Sequence, residues 1–123
     1  MKFTNRAKMA TSTTGTSTIT LGSAVVGFQS FESSGIADGD EIRYLIEDGA
    51  AWEIGNGIYT SSGTTLTRVL DESSTGSLLN LSGNARVMVI ASSQDFISAT
   101  QLADMAIAYT DAQTRFIDAL GVS

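Results

Sequence analysis

Residues 41–59 read "EIRYLIEDGAAWEIGNGIY", two alternating segments joined by an Asp-Gly pair. In the first segment, Ile42, Tyr44 and Ile46 fall on one face of an extended chain, because successive side chains of a strand point to opposite faces. An Asp-Gly pair between such segments is among the strongest short signals for a hairpin. The sequence therefore predicts a β-hairpin here, with Trp52 supplying much of the core.

The same stretch carries the acidic side chains Glu47, Asp48 and Glu53 close to the predicted turn. Beside a hairpin turn, these carboxylates are expected to be solvated. Gly55 or Gly57 is expected to introduce a bend or bulge before the return strand ends. The stretch is thus interpreted as structural, and not as a catalytic loop.

Hydroxyl-rich segments on both sides of the hairpin extend the β pattern. About a quarter of the 123 residues are Ser or Thr, and the branched threonine side chain favours a pleated surface. Further strands are predicted at 16–21, 25–31, 64–70 and 86–91, with a short one in "LLNL" (78–81). Six to eight short strands separated by turns predict a mainly β fold, either an antiparallel β-sandwich or a small barrel.

After residue 97 the pattern becomes helical. Ser98 and Gln101 match a capping box, and Gly121 is a suitable stop, so a helix is predicted from 98 to about 120. This divides the chain into a β module at 1–97 and a C-terminal helical segment at 98–123. Its apolar residues follow a heptad-like spacing; together with one preceding aromatic residue they are the candidate interface residues: Phe96, Leu102, Met105, Tyr109, Ala112, Phe116 and Ala119. Packing on a β module and self-association in a symmetric bundle both remain open.

The residue types that are missing exclude several kinds of site. The chain has no cysteine for disulfides or thiolate metal sites, and no histidine, the commonest general base and zinc ligand. A net charge of -6 disfavours nucleic-acid binding, and the basic cluster of Lys2, Arg6 and Lys8 is expected to be a solvated strand edge. No apolar run suits a signal peptide or a membrane span. We therefore expect a soluble protein made in the cytoplasm, without cofactors and with neither nucleic acid nor membrane as partner.

Side chains that could carry chemistry have a simpler structural interpretation. The acidic pairs lie in turn-rich stretches, where such residues are common for local hydrogen bonding; they are Asp38 with Asp40, Glu47 with Asp48, and Asp71 with Glu72. "DGDE" (38–41) lacks the spacing of an EF-hand calcium loop. Four aromatic residues would stack on a sugar if exposed together, but core packing is favoured: Phe28, Phe31, Trp52 and Tyr59. We predict no enzymatic activity.

Four segments, in this order, resemble a module of tailed-bacteriophage virion proteins. They are "TTGTSTITLG" (13–22), "VVGFQSF" (25–31), "GIADGDEIRYLIEDGAAWEIGNGIYTSSGTTLTR" (35–68) and "VLDESSTG…NLSGNARVMVIAS" (69–92). The combination of IEDG, the following tryptophan and GTTLTR is the most specific part, and the resemblance covers about residues 4–92. Such modules are similar to those at the N-terminal end of tail-fibre-like proteins. Here no long receptor-binding region follows, and the resemblance carries over no catalytic residues.

Three functions follow as hypotheses. The first is a non-enzymatic structural protein of a phage particle, a short tail fibre, baseplate component or adaptor. It would act in the virion through contacts with other virion proteins and as a homo-oligomer. A trimer is favoured by the heptad-like pattern together with the resemblance to fibre proteins. In this hypothesis the polar stretch 1–12 would extend a neighbour's sheet. The second hypothesis is a capsid decoration protein, and the third a carbohydrate-binding or depolymerising module of the host surface.

Overall fold

The computed structural model describes residues 1–96. Met1–Ser92 form one compact unit, and Ser93 begins a second unit, of which the described part contains the 3-10 turn Ser93–Asp95. The helix predicted at 98–120 lies outside the described residues.

The first unit is mainly β, as the sequence predicts, and its strands pair antiparallel. They are β1 (Lys8–Ala10), β2 (Thr14–Gly15), β3 (Ile19–Thr20), β4 (Glu41–Asp48), β5 (Ala51–Thr60), β6 (Thr65–Leu66), β7 (Val69–Ser73), β8 (Leu81–Ser82) and β9 (Arg86–Val89). A seven-stranded sheet has the order β1-β9-β4-β5-β6-β3, with β7 also beside β5, and β2 pairs separately with β8. The large sheet is curled like half of a barrel.

The predicted hairpin is confirmed at the centre of the large sheet. β4 pairs with β5 from Glu41↔Ile58 to Asp48↔Ala51, which leaves a two-residue loop of Gly49 and Ala50. Gly49 has φ 63°, the conformation that a tight hairpin requires at this position and that glycine adopts without strain.

The prediction of a strand at 25–31 is wrong. A turn at Gly27 (φ 84°) leads into the short helix α1 (Phe31–Ser34), which ends at Gly35 (φ 113°). The Ser30 Oγ accepts the backbone N–H of Ser33 at 3.0 Å. An N-capping serine and a left-handed glycine stop outweigh the alternating pattern over so short a segment.

Two other predicted strands are shorter or divided. Only Ile19–Thr20 of 16–21 is a strand, and 64–70 is interrupted between β6 and β7. The interruption contains Arg68, whose side chain is turned into the protein.

The N-terminal stretch is built into the chain's own sheet. β1 pairs with β9 on one side, and on the other side Ala10 N–H donates to Ser23 O at 2.8 Å. Lys2 forms a parallel bridge with Ile42. The expectation that 1–12 extends a neighbour's sheet is therefore wrong for β1, because both of its edges are already occupied within the chain.

The core lies on the concave side of the sheet and holds fifteen buried apolar residues: Ala7, Met9, Ile19, Leu21, Phe31, Ile36, Ile42, Tyr44, Ile46, Tyr59, Leu66, Leu79, Leu81, Ala85 and Val87. The face of β4 with Ile42, Tyr44 and Ile46 points inward, as predicted.

β5 has the opposite orientation to the one predicted. Trp52 and Ile54 are half-buried, whereas Glu53 is fully buried at 0% exposure. The register explains the reversal: Trp52 lies opposite Glu47 and Glu53 opposite Ile46, and directly opposed residues share a face. The expectation that Trp52 fills the core, and that Glu53 is solvated, is therefore wrong.

This difference predicts unequal costs for two aromatic truncations. Phe31→Ala removes a fully buried ring and should lower the free energy of unfolding by about 3–5 kcal/mol. Trp52→Ala, despite its larger side chain, should cost less, because its ring is only half-buried. Urea unfolding followed by circular dichroism measures both. A larger loss for Trp52→Ala would contradict the assignment of the faces.

Candidate functional site

Three ionisable side chains of the first unit form a buried cluster. Both oxygens of the Glu53 carboxylate accept hydrogen bonds from Arg68, from Nη2 at 2.6 Å and from Nε at 3.2 Å. The hydroxyl of Tyr44 donates to Glu53 Oε2 at 2.6 Å, and the backbone N–H of Leu79 donates to Oε1 at 2.8 Å. The side chains of Arg68 and Glu53 are 1% and 0% exposed. Tyr44, Glu53 and Arg68 are called the Glu53 cluster below.

The strand register brings this cluster together. Tyr44 lies opposite Gly55, and a β-carbon on Gly55 would come within 2.5 Å of the tyrosine hydroxyl oxygen. Because position 55 has no side chain, the Tyr44 ring can lie across β5 and reach Glu53.

Arg68 also joins segments that are far apart in the sequence. Its Nη1 donates to Gly15 O at 3.2 Å and to Ser17 O at 3.3 Å, and Nη2 donates to Leu79 O at 2.8 Å. One guanidinium thus ties the loop after β2 and the segment before β8 to β5. A planar fork of several N–H donors suits such a hub better than an ammonium group does.

The electrostatics favour a neutral tyrosine and an ionised glutamate. Burial alone would raise the pKa of Glu53, but the hydrogen bonds from Arg68, Tyr44 and the Leu79 N–H outweigh burial, so the pKa is below its ordinary value. Burial first, and then the hydrogen bond to Glu53, raise the pKa of Tyr44. The Arg68 and Glu53 side chains are almost fully buried, and the hydrogen bonds of Arg68 hold separate segments together.

The raised pKa of Tyr44 predicts a loss of stability in alkali. Because the folded pKa lies above the unfolded value of 10.0, the neutral tyrosine stabilises the fold fully below pH 10, and this contribution declines as the pH rises further. Between pH 9 and pH 11, the free energy of unfolding of the wild type should therefore fall by on the order of 1 kcal/mol more than that of Tyr44→Phe. Urea denaturation at several pH values measures this difference. If the free energy of unfolding depends on pH equally in both proteins, the loss in alkali does not come from Tyr44.

The acidic pairs proposed as candidate sites are engaged in separate local contacts. Asp38 Oδ1 accepts the Ser61 N–H at 2.9 Å, Asp40 Oδ2 accepts the Ala37 N–H at 2.8 Å, and Asp48 Oδ1 accepts the Ser82 hydroxyl at 2.7 Å. Asp71 pairs with the buried Arg43. Over residues 1–96, no group of three or more metal-ligating side chains occurs.

The four aromatic residues considered for sugar stacking are divided between two environments. Phe31 and Tyr59 are core residues with ring centroids 6.1 Å apart. The central carbon of the Arg6 guanidinium lies over the Phe28 ring, 3.9 Å from the centroid of the ring. A groove of about 470 Å3 in the first unit, between residues 10–12, 22–23 and 83–86, is lined by no aromatic residue.

Two exposed apolar side chains lie instead on the convex side of the large sheet, called the outer face below. Ile58 and Val69 are 40% and 57% exposed, and the register places both on this face, opposite the outward-facing Glu41 and Asn56. Met1 and Phe3, each 48% exposed, flank Lys2, which forms a bridge to Ile42 of β4. Apolar side chains clustered on a surface are typical of an interaction site.

Phe96, a candidate interface residue, is 68% exposed at the end of the described chain. The other candidates lie outside the described residues: Leu102, Met105, Tyr109, Ala112, Phe116 and Ala119. Sequence reasoning missed the Glu53 cluster, although the hairpin register alone would have placed Glu53 beside Ile46. Among residues 1–96, no helix is long and apolar enough to cross a membrane.

Comparison of the chain with family models, with curated proteins and with solved structures finds no match.

Proposed function

We propose that this chain is a non-enzymatic structural protein of a tailed-phage particle, a short tail-fibre, baseplate or adaptor component that acts through protein–protein contacts. The observation that carries the proposal is the outer face, where Ile58 and Val69 are exposed. Apolar side chains on one face of a rigid sheet suit a surface that binds protein.

Two further features support it. The Glu53 cluster is closed to solvent and engaged in holding loops. The ordered motifs at 13–92 also resemble a virion module, which suits a small β domain displayed on a particle. In this proposal the chain is located in the virion and forms a homo-oligomer, a trimer held by a helix over 98–120.

Mass spectrometry of purified particles, separated into heads and tails, tests the proposal. Peptides of this chain in the tail fraction, at a constant ratio to the other tail proteins, are the expected result. Peptides only in the head fraction would favour the alternative of a capsid decoration protein. Their absence from both fractions would overturn a virion role.

A further inference from the structure

A polar groove of about 470 Å3 lies at the end of β1, where three segments of the first unit meet. Backbone N–H groups within residues 10–12 donate to Ser23 O at 2.8 Å on one side and to Ala85 O at 3.0 Å on the other. Residues 10–12 therefore lie in the middle, and 22–23 and 83–86 form the two walls. It is called the Arg86 groove below.

Small residues keep the Arg86 groove open. Ala10 lies directly opposite Arg86 in the pairing of β1 with β9, so the two side chains share a face, and the alanine methyl group leaves space beside the guanidinium. Gly22 and Gly83 add no side chain to the walls. A ligand can therefore approach the backbone of both walls closely.

The guanidinium of Arg86 is available to a ligand. Arg86 is exposed, and it makes no hydrogen bond or ion pair with any residue from 1 to 96. Glu47 lies opposite it on β4, but the Glu47 carboxylate is 3.9 Å from Lys8 Nζ. Two cations and one carboxylate leave this corner with one positive charge in excess, in a chain of net charge -6. An unpaired guanidinium can bind a carboxylate through two parallel hydrogen bonds.

Neutral hydrogen-bonding groups surround this charge. Ser12, Ser23 and Asn84 line the groove and are exposed. Within the described part of the chain, their side chains have no hydrogen-bond partner. Hydroxyl and amide groups both donate and accept hydrogen bonds, as the N–H and C=O groups of a peptide backbone require. The groove thus suits a ligand with several peptide groups and one carboxylate.

Two other classes of ligand fit these groups less well. Nucleic acid binds through several phosphate contacts, whereas the groove offers one cation on a chain of net negative charge. A sugar ring would find no aromatic side chain to stack on, since none lines the groove.

We infer that the Arg86 groove binds an extended, carboxylate-bearing segment of a partner protein, with the carboxylate held by Arg86 and the peptide groups by the side chains of the two walls. The inference rests on the proposed function in one respect, that the partner is another protein of the particle. It assigns to that contact a place on the chain and an acidic residue on the partner.

Two matched peptides test the carboxylate. The probes are acetyl-Ala-Ala-Glu-Ala-Ala-amide and the same peptide with glutamine in place of glutamate. The backbone amide resonances of Gly22 and Gly83 in the full chain report binding, since both residues line the groove. The glutamate peptide should bind at least about 10-fold more tightly than the glutamine peptide, because only its carboxylate forms charge-assisted hydrogen bonds with Arg86.

Variants of the chain test the groove itself. Arg86→Gln should raise the dissociation constant of the glutamate peptide at least about 10-fold and remove the preference over the glutamine peptide. Arg86→Lys keeps the charge without the planar fork and should have an intermediate affinity. Ser23→Trp should obstruct the groove and weaken the binding of both peptides. Lys2→Gln is the matched control: it removes one positive charge at an exposed position outside the groove and should leave binding unchanged.

Three results of the titrations would overturn the inference. The first is equal affinity for the two peptides, and the second is binding by Arg86→Gln as tight as that of the wild type. The third is tighter binding of sodium glucuronate than of the glutamate peptide, which would identify a site for an acidic sugar.

Particles assembled without this chain connect the groove to the proposed function. The purified wild-type chain should bind to them, and Arg86→Gln should bind at least about 10-fold more weakly. Equal binding of the two would overturn the inference and leave the proposed function in place. No binding of the wild type, together with absence of the chain from heads and tails, would overturn the virion role, and the peptide titrations would still decide whether the groove binds carboxylates.

Discussion

Gly57→Ala is expected to destabilise the protein by at least about 3 kcal/mol, which corresponds to a fall in Tm of about 12 °C or more for a unit of this size. A β-carbon at position 57 would overlap the Thr67 carbonyl oxygen and would come within 3.1 Å of Leu66 Cδ1. The obstacle is the backbone of the adjoining segment, so it cannot be relieved by a change of rotamer. Alanine has the higher intrinsic preference for a strand, so a large loss reports the close approach of the two segments.

Gly55→Ala should behave in the same way, because its β-carbon would overlap Val69 O and lie 2.5 Å from the Tyr44 hydroxyl. Asn56→Ala is the matched control: it lies between the two glycines and faces outward. It should change stability by less than about 0.5 kcal/mol. Thermal unfolding of the three variants compares them directly, and losses of similar size in all three would refute the steric explanation.

The second large effect concerns the Glu53 cluster. Glu53→Gln leaves Arg68 buried without a counter-charge and should cost about 3–5 kcal/mol, and Arg68→Met should cost a similar amount by leaving the carboxylate unpaired. The double variant should be less destabilised than the sum of the single variants, because it leaves neither charge unpaired. Additive losses in chemical denaturation would contradict a coupled pair.

Acid provides an independent check on Glu53. Its pKa in the folded protein lies below the ordinary value of 4.5, so the ionised form stabilises the fold fully above about pH 4.5. That contribution is lost as the pH falls through the folded pKa. Wild-type stability should therefore decline below pH 4.5 more steeply than that of Glu53→Gln. Parallel declines would show that other carboxylates dominate acid unfolding.

The central hairpin could be predicted because its signals are local. Alternation over 41–48 and an Asp-Gly pair determine the strands and the turn with few competing possibilities. Hydrophobicity alone predicts the wrong inward face for β5, because it places the large apolar side chain of Trp52 in the core. The register of a two-residue loop corrects this face. A loop of Gly49 and Ala50 pairs Asp48 with Ala51, and two residues further along each strand Ile46 pairs with Glu53.

Other features depend on contacts that no local pattern contains. The inward position of Arg68 is favourable because Glu53, Gly15, Ser17 and Leu79 converge on it from three separate segments. The helix at Phe31–Ser34 was hidden for a different reason: a four-residue helix has too few turns to show a period, and only its capping residues distinguish it. The outer face required the order of five strands, which hairpin signals alone do not give.

The pairing of β1 with β9 has a consequence for folding during synthesis on the ribosome. Met9 lies opposite Val87, so a strand made among the first ten residues has no β9 partner until almost ninety have been joined. The hairpin of β4 and β5 can form as soon as it emerges, whereas the N-terminal strand must wait. Contacts so distant along the chain slow the final closure, and meanwhile the apolar side of the early hairpin is open to unwanted partners. Rapid expression should therefore yield a smaller fraction of folded protein than slow expression at low temperature.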